Sequence, residues 1–358
     1  MITNPHLFRP LTLRGLTLKN RIVVSPMCQY SATEGLAEDW HLVHLGSRAV
    51  GGAGLVFTEA TAVSREGRIT PDCLGIWTDE HVEPLARIVR FLKSQGAATG
   101  IQLAHAGRKA STTAPWKGGK PIPAGEADAW TPVAPSAIPF TPAHAVPQQI
   151  DCAGIGKLRD EFRRAARRAV KAGFDSIEIH AAHGYLLHSF YSPLSNHRKD
   201  EYGGSLENRG RLVVQVATDL RAVVPDGMPL FVRISSTDWV EGGWDLAQSI
   251  ELAKKLREVG MDVIDCSSGG AVSDANVPVA PLYQVPFAEA IRRDAGIATA
   301  AVGMIREPAE AEGIIADGKA DLVLMAREYL RSPYWPITAA KALGVQPKVP
   351  DQYGRAFS

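Results

Sequence analysis

Eight short apolar runs, spaced by stretches of helical periodicity or by loops, constrain this 358-residue chain more than any other feature. The runs are residues 21–27 (RIVVSPM), 54–59 (GLVFTE), 99–103 (TGIQL), 175–180 (DSIEIH), 230–235 (LFVRIS), 263–267 (VIDCS), 298–302 (ATAAV) and 321–325 (DLVLM). Helical periodicity falls at 81–95, 157–171, 206–224, 246–259, 286–293, 308–316 and 333–342. Strands covered by helices outside and packed inside read as short, continuously apolar segments. Eight βα repeats therefore predict one closed parallel (β/α)8 TIM barrel over residues 1–345, followed by a tail at 346–358. One connection breaks the pattern. Residues 112–151, after the third strand, carry many Pro, Gly and Ala with Trp116 and Trp130 and have little periodicity. A loop of that length is a packed lid or a disordered insertion, and the two tryptophans favour packing.

Composition narrows the function classes. A net charge of +1 with no long Lys/Arg run gives no indication of nucleic acid or an anionic membrane as a partner. No apolar run approaches the ~18–20 residues that span a bilayer. The opening MITNPHLFRPLTLRG does not read as a signal peptide, so a cytoplasmic protein is expected. Cys28, Cys73, Cys152 and Cys266 lie far apart and form no CxxC pair, which points to free thiols in place of a zinc or iron–sulfur site. Neither a GxGxxG turn nor a Walker loop follows a strand.

In a barrel of this kind the chemistry sits at the carboxyl ends of the strands. Polar residues gather at those ends: Cys28 and Tyr30 after the first, Gln102, His105, Arg108 and Lys109 at the third, His180, His183 and Tyr185 at the fourth. In HAAHGY, His180 and His183 can direct two N–H groups at one oxygen, as polarising a carbonyl requires. A metal site or a structural pair capping backbone groups are the competing readings. Tyr185 is a poor base but a workable acid toward a carbanion. Arg233 stands inside an apolar strand and needs a partner, either a bound anion or electron-rich ring, or an ion pair such as one with Glu178. Gly303 and Arg327, after the seventh and eighth strands, fall where barrels commonly hold phosphate. The SSGG run at 267–270 assists them or is an ordinary turn.

The stretches SPMCQY (25–30), GLVFTEATAV (54–63), IQLAHAGRKA (101–110), DSIEIHAAHGYLLHSFYSPLSNHRKDEYGGSLENRGR (175–211), LFVRIS (230–235), AVGMI (301–305) and MAREYLRSP (325–333) resemble the old yellow enzyme family, and more closely its bacterial branch with a cysteine beside the flavin. The resemblance covers essentially the whole chain. It implies a tightly bound FMN, with Ser25, Pro26, Met27, Cys28 and Ala60 bordering the isoalloxazine and Gln102 on its pyrimidine edge. Arg233 would face the N1–O2 edge, and Gly303, Ala326 and Arg327 would hold the phosphate. Ala326 departs from the usual Gly. The implied reaction moves hydride from NADPH or NADH to the flavin and on to an α,β-unsaturated carbonyl or similar activated alkene, with nitro compounds as further substrates. His180 and His183 would bind the carbonyl, Tyr185 would protonate the α-carbon, and Tyr30 and Lys109 would line the substrate site. Cys28 would tune the flavin, or is simply a small buried hydrophobe. The tail DQYGRAF resembles one that reaches into a neighbouring subunit and inserts Arg355, which implies a homodimer or homotetramer; a disordered tail is the alternative.

Three other functions compete. A dienoyl-CoA reductase would carry a cysteine-rich iron–sulfur segment and extra domains. A phosphate-binding barrel lyase or isomerase would bind no flavin and need no paired histidines. A pure flavin binder would not need an acid opposite the ring.

Overall fold

In the computed structural model, which describes residues 5–357, all eight runs become barrel strands. They are β1 (Ile22–Val24), β2 (Leu55–Ala62), β3 (Ala98–Ala104), β4 (Ser176–Ala181), β5 (Leu230–Ser235), β6 (Val263–Ser267), β7 (Ala298–Ala301) and β8 (Leu322–Met325). Each pairs in parallel with its chain neighbours, and β8 closes on β1 through Val323↔Ile22, Leu324↔Val23 and Met325↔Val24.

Alternation along the strands sorts their side chains into two cores. Ile101, Leu103, Ile177, Ile179, Val232 and Ile234 point outward into the layer between sheet and helices. Val23, Leu55, Phe57, Phe231, Val263, Ala300, Leu322 and Leu324 fill the lower barrel interior, where Phe57 and Phe231 meet edge to face at 5.3 Å. A hairpin that the periodicity did not reveal, Leu11–Leu13 with Leu16–Leu18, closes the barrel's amino-terminal end with Leu13 and Leu18. Higher up the same strands the inward residues turn polar: Gln102, Glu178, His180, Arg233 and Asp265, all buried.

The surrounding helices are α1 (Asp39–Val50), α2 (Val82–Ser94), α3 (Cys152–Ala172), α4 (Leu186–Tyr191), α5 (Leu206–Arg221), α6 (Leu246–Glu258), α7 (Val285–Ala295), α8 (Pro308–Ala316), α9 (Arg327–Arg331) and α10 (Trp335–Ala342). Helix α1 lies where no helix was expected. Its buried face includes His41, His44 and Arg48, so the aliphatic periodicity that marks most helices is weak there. Helix α3 begins earlier than its apolar pattern, because the Asp151 carboxylate accepts from the Gly154 N–H and caps it.

The loop at 112–151 is packed against the barrel. Trp130 donates its indole N–H to the Glu66 carbonyl at 2.9 Å and lies under the Arg68 guanidinium at 5.2 Å. Trp116 meets Tyr30 edge-on at 5.6 Å, and Val133–Ala134 pairs with Gln148–Gln149. The disordered alternative is therefore replaced by an ordered cover beside the mouth. In the tail, the Tyr353 hydroxyl lies 3.4 Å from that of Tyr334 and the Lys341 ammonium sits over Phe357 at 4.5 Å, with Arg355 exposed. No helix among the described residues is long and apolar enough to cross a membrane.

Candidate active site

The polar residues at the strand ends form two connected clusters across one barrel mouth. The first is built on β3, β4 and β5. His180 ends β4, and the chain then turns through His183 and Gly184, both with positive φ (60° and 75°). Gly184 must be glycine because a Cβ there would collide with the Gly270 carbonyl. The turn brings the rings together: His180 lies 5.2 Å from His183 and 4.9 Å from Tyr185, edge to face in both cases.

The protonation states follow from partners and burial. Burial, reinforced by the Arg233 charge, pushes His180 well below the ordinary imidazole range, so the ring is neutral at pH 7. Its Nδ1 accepts from the Ala182 N–H at 3.3 Å, which leaves the proton on Nε2. His183 is depressed likewise by burial and by His180. Its Nε2 lies 2.7 Å from the Ser267 hydroxyl; with the hydroxyl donating, the His183 proton sits on Nδ1. Two neutral imidazoles thus lie side by side, each with one N–H not used in these bonds. Burial pushes the Tyr185 phenol well above its usual pKa, so it stays protonated and available as an acid. Lys109, lowered to about 8 by burial and by Arg108, donates to the His183 carbonyl at 2.9 Å and lies 5.3 Å over the Tyr185 ring.

Beneath them is a charged floor. Arg233 donates from Nη2 to the Ser25 hydroxyl at 2.8 Å, and its Nε lies 2.9 Å from Asp265 Oδ2. The expected ion partner Glu178 is thereby corrected to Asp265. Arg233 is in register with Asp265 on β6, whereas Glu178 sits beside Phe231 one step lower and is taken by Gln102, whose Nε2 donates to Glu178 Oε1 at 2.7 Å.

The side of the mouth is formed by the loop after β1 and the upper part of β2. A register shift between Phe57 and Ala60 in β2 marks a bulge. Beside it, Glu59 meets His41 of α1 at 3.3 Å and accepts from the Gln29 N–H at 3.1 Å, while Ala60 stays buried next to Gln102 in register. Pro26 and Met27 continue this loop from Ser25, with Met27 packed on the outer core. Burial and the Glu59 carboxylate hold the Cys28 thiol well above its usual pKa, so it is a thiol and not a thiolate nucleophile. Tyr30 beside it has φ 48°.

The second cluster lies at the ends of β7 and β8. Gly303, Ala326 and Arg327 line a pocket of about 180 Å³ together with Ser267, Tyr283 and Gln284. Gly303 has φ 125°, and a Cβ there would crowd Gln284 at 3.0 Å. Ala326 stands at φ −109°, outside the left-handed region that favours glycine, so the backbone here does not call for Gly in place of Ala. Ser267 belongs to both clusters, since it also holds His183. A buried arginine with a hydroxyl and an amide on one side, and a glycine-lined pocket with an exposed arginine on the other, suit a planar ring joined to a phosphate. The residues present fit FMN. Arg355, on the tail, is the one expected site residue that the chain does not carry on the barrel itself.

Supporting contacts went unread in the sequence. His188 Nδ1 accepts from the Gly184 N–H at 2.8 Å, and its Nε2 bonds Asp238 at 2.9 Å, with both side chains fully buried. Asp238 also accepts from Ser192 and from the Trp244 N–H, which ties the histidine turn to the loop after β5. Asp265 was also unread, although it is a charged residue inside an apolar run, as Arg233 is.

Comparisons with known proteins agree with this fold. Residues 6–346 match the NADH:flavin oxidoreductase / NADH oxidase family. The chain is 50% identical over 356 residues to an NADPH dehydrogenase of Geobacillus thermodenitrificans (strain NG80-2), covering 99% of each. It is 49% identical over 353 residues to an NADPH dehydrogenase of Bacillus subtilis (strain 168), covering 98% of this chain and 99% of that one. Among solved structures, morphinone reductase superposes with a TM-score of 0.79 at 27% identity, over 98% of this chain and 92% of that one. A 2-naphthoyl-CoA reductase complex gives a TM-score of 0.84 at 25% identity, but this chain spans only 52% of that one. With its closed parallel barrel and the two clusters at its mouth, the chain belongs to the NADH:flavin oxidoreductase / NADH oxidase family.

Proposed function

We propose that the chain is an FMN-dependent ene-reductase that takes hydride from NADPH or NADH and reduces the C=C bond of α,β-unsaturated carbonyls or similar activated alkenes. The observation that carries this reading is the neutral His180–His183 pair set beside a protonated Tyr185, above a floor that holds Gln102 and Arg233. Relatives named NADPH dehydrogenase and a structural neighbour named morphinone reductase support it. FMN, when bound, supplies the hydride acceptor and donor of the two half-reactions.

Ser25, Pro26, Met27, Cys28 and Ala60 would border the ring, Gln102 would meet its pyrimidine edge, Arg233 its N1–O2 edge, and Gly303, Ala326 and Arg327 would hold the phosphate. The Arg233 charge would stabilise negative charge at that edge. His180 Nε2–H and His183 Nδ1–H donate to the substrate carbonyl oxygen and stabilise the enolate that develops there. Neutral imidazoles suit this task, because each keeps one N–H with which to donate. Tyr185 delivers its phenolic proton to the α-carbon. Tyr30, braced by Trp116, and Lys109 line the substrate side. Nitro compounds fit the same site as alternative electron acceptors. Residues 346–358 act as a separate tail whose Arg355 enters the site of a neighbouring copy in a homodimer or homotetramer, which accounts for an exposed arginine on a short tail packed at α10. Cys28, a thiol beside Ala60, acts on flavin potential and substrate fit.

Stopped-flow measurement of the two half-reactions in His180→Ala tests the reading. The variant is expected to keep FMN, bind phenolic ligands more weakly and reduce an enone more slowly than wild type. Unchanged enone kinetics would remove His180 from the reaction.

A further inference from the structure

Below the histidine pair, the barrel interior holds two carboxyl groups that the reaction does not use. Glu178 and Asp265 are both 0% exposed, on β4 and β6, with Arg233 of β5 between their strands. Each side chain accounts for only part of its hydrogen-bonding capacity. Glu178 Oε1 accepts from Gln102, but Oε2 has no good hydrogen bond to another side chain. Asp265 Oδ2 is in ionic contact with Arg233 Nε, although that N–H is not aimed at it, and Oδ1 has no partner. Two buried carboxylates beside one guanidinium would leave a net buried negative charge at a cost of several kcal/mol. A single proton between the carboxyls removes that excess and satisfies the open oxygens together.

We propose that Glu178 and Asp265 form a carboxyl pair sharing one proton and, as a single negative charge behind Arg233, set how strongly the site favours reduced over oxidised FMN. The inference rests on the placement of FMN over Gln102 and Arg233. The direction of titration agrees with it: burial and the Asp265 charge push Glu178 well above the carboxylate range, and burial raises Asp265 as well, with Arg233 and a hydrogen bond to Glu178 countering it. The titratable neighbours of the pair are His180, neutral through burial, and, on the outer face of β6, the Cys266 thiol, raised by burial and by Asp265. Neither adds charge. The cluster of Arg233, Asp265 and protonated Glu178 is therefore neutral, and its two charged members are positioning residues for flavin electronics: Arg233 favours the reduced ring and Asp265 limits that preference.

The test is the midpoint potential of bound FMN in holoenzyme variants. The double variant Asp265→Asn/Glu178→Gln removes the negative charge of the pair and is expected to shift the oxidised-to-reduced Kd ratio toward the reduced form by about tenfold or more, the effect of one charge several ångströms away at an effective dielectric near ~20. Glu178→Gln alone replaces a protonated carboxyl by an isosteric neutral amide and is expected to leave the ratio at pH 7 within about twofold of wild type. Equal shifts in the two variants, or no shift in the double variant with FMN bound, would overturn the proposal. Loss of Arg233's partner can unfold the double variant. Infrared spectra of wild type and Glu178→Gln then decide: a protonated carboxylic-acid C=O band present in wild type and lost in the variant supports the pair, and its absence from wild type overturns it. A wild-type protein that binds no FMN fails the functional reading instead.

Discussion

The lower and upper halves of the barrel interior are lined by the same strands and do opposite things. On β5, Phe231 packs into the lower core and Arg233, two residues on, is charged; on β6, Val263 is followed at the same spacing by Asp265. Period-two alternation aims both members of each pair at the barrel axis. Below, aliphatic and aromatic side chains exclude water and hold the strands in register. Above, buried charge and amide groups pair with one another in part, Gln102 with Glu178 and Arg233 with Ser25 and Asp265. The contrast teaches that a barrel can separate stability from chemistry within ~7 Å along one strand, the rise of two residues.

The largest effect that would sharpen this contrast comes from below. Phe231→Ala removes an aromatic packed against Phe57, and is expected to cost about 3–5 kcal/mol of stability by denaturant unfolding. The ratio of the two half-reaction rates in the folded enzyme should stay as in wild type; a change in that ratio would break the division. Tyr185→Phe should do the reverse. Single-turnover kinetics are expected to show the alkene half-reaction slowed about 10²-fold or more with flavin reduction by NADPH and the melting temperature preserved. Equal slowing of both half-reactions would exclude Tyr185 as the proton donor.

The eight strands were legible because both of their faces are buried, so nearly every position is apolar and the exceptions stand out. That is why Gln102, His180 and Arg233 could be picked from the sequence and then found together. Helix α1 was not legible, since His41, His44 and Arg48 occupy its buried face and Val43 is exposed. The partner of Arg233 was misread for a similar reason. Glu178 and Asp265 both lie on strands neighbouring β5, and only the stagger of the closed barrel puts Asp265, not Glu178, level with the guanidinium. Ser267, by contrast, was in view as part of a turn, but its bond to His183 spans 84 residues and leaves no local trace.

Smaller effects probe the rim between the halves. Ser267→Ala removes the hydroxyl at His183 Nε2 and should slow enone reduction by up to about tenfold, the worth of one hydrogen bond, as read in steady-state kinetics with FMN content unchanged. Lys109 offers a pH test. Its ammonium stabilises charge developing on Tyr185, so alkene reduction should fall as pH rises through about 8, and Lys109→Met should flatten that limb. The stability linkage has the opposite trend. The folded value of about 8 lies below the ordinary 10.5, so the unfolded chain binds the proton more tightly. The destabilising contribution is full below pH 8 and is relieved between about 8 and 10.5, an increment that Lys109→Met should lack in pH-dependent unfolding.

The most direct measurement is an anaerobic visible spectrum of the purified protein, taken alone, after NADPH, and then after 2-cyclohexenone. The expected result is a flavin band that bleaches with NADPH and returns with the enone. A band that bleaches but does not return would contradict the alkene assignment, and a protein that stays colourless when reconstituted with FMN would contradict the flavin reading altogether.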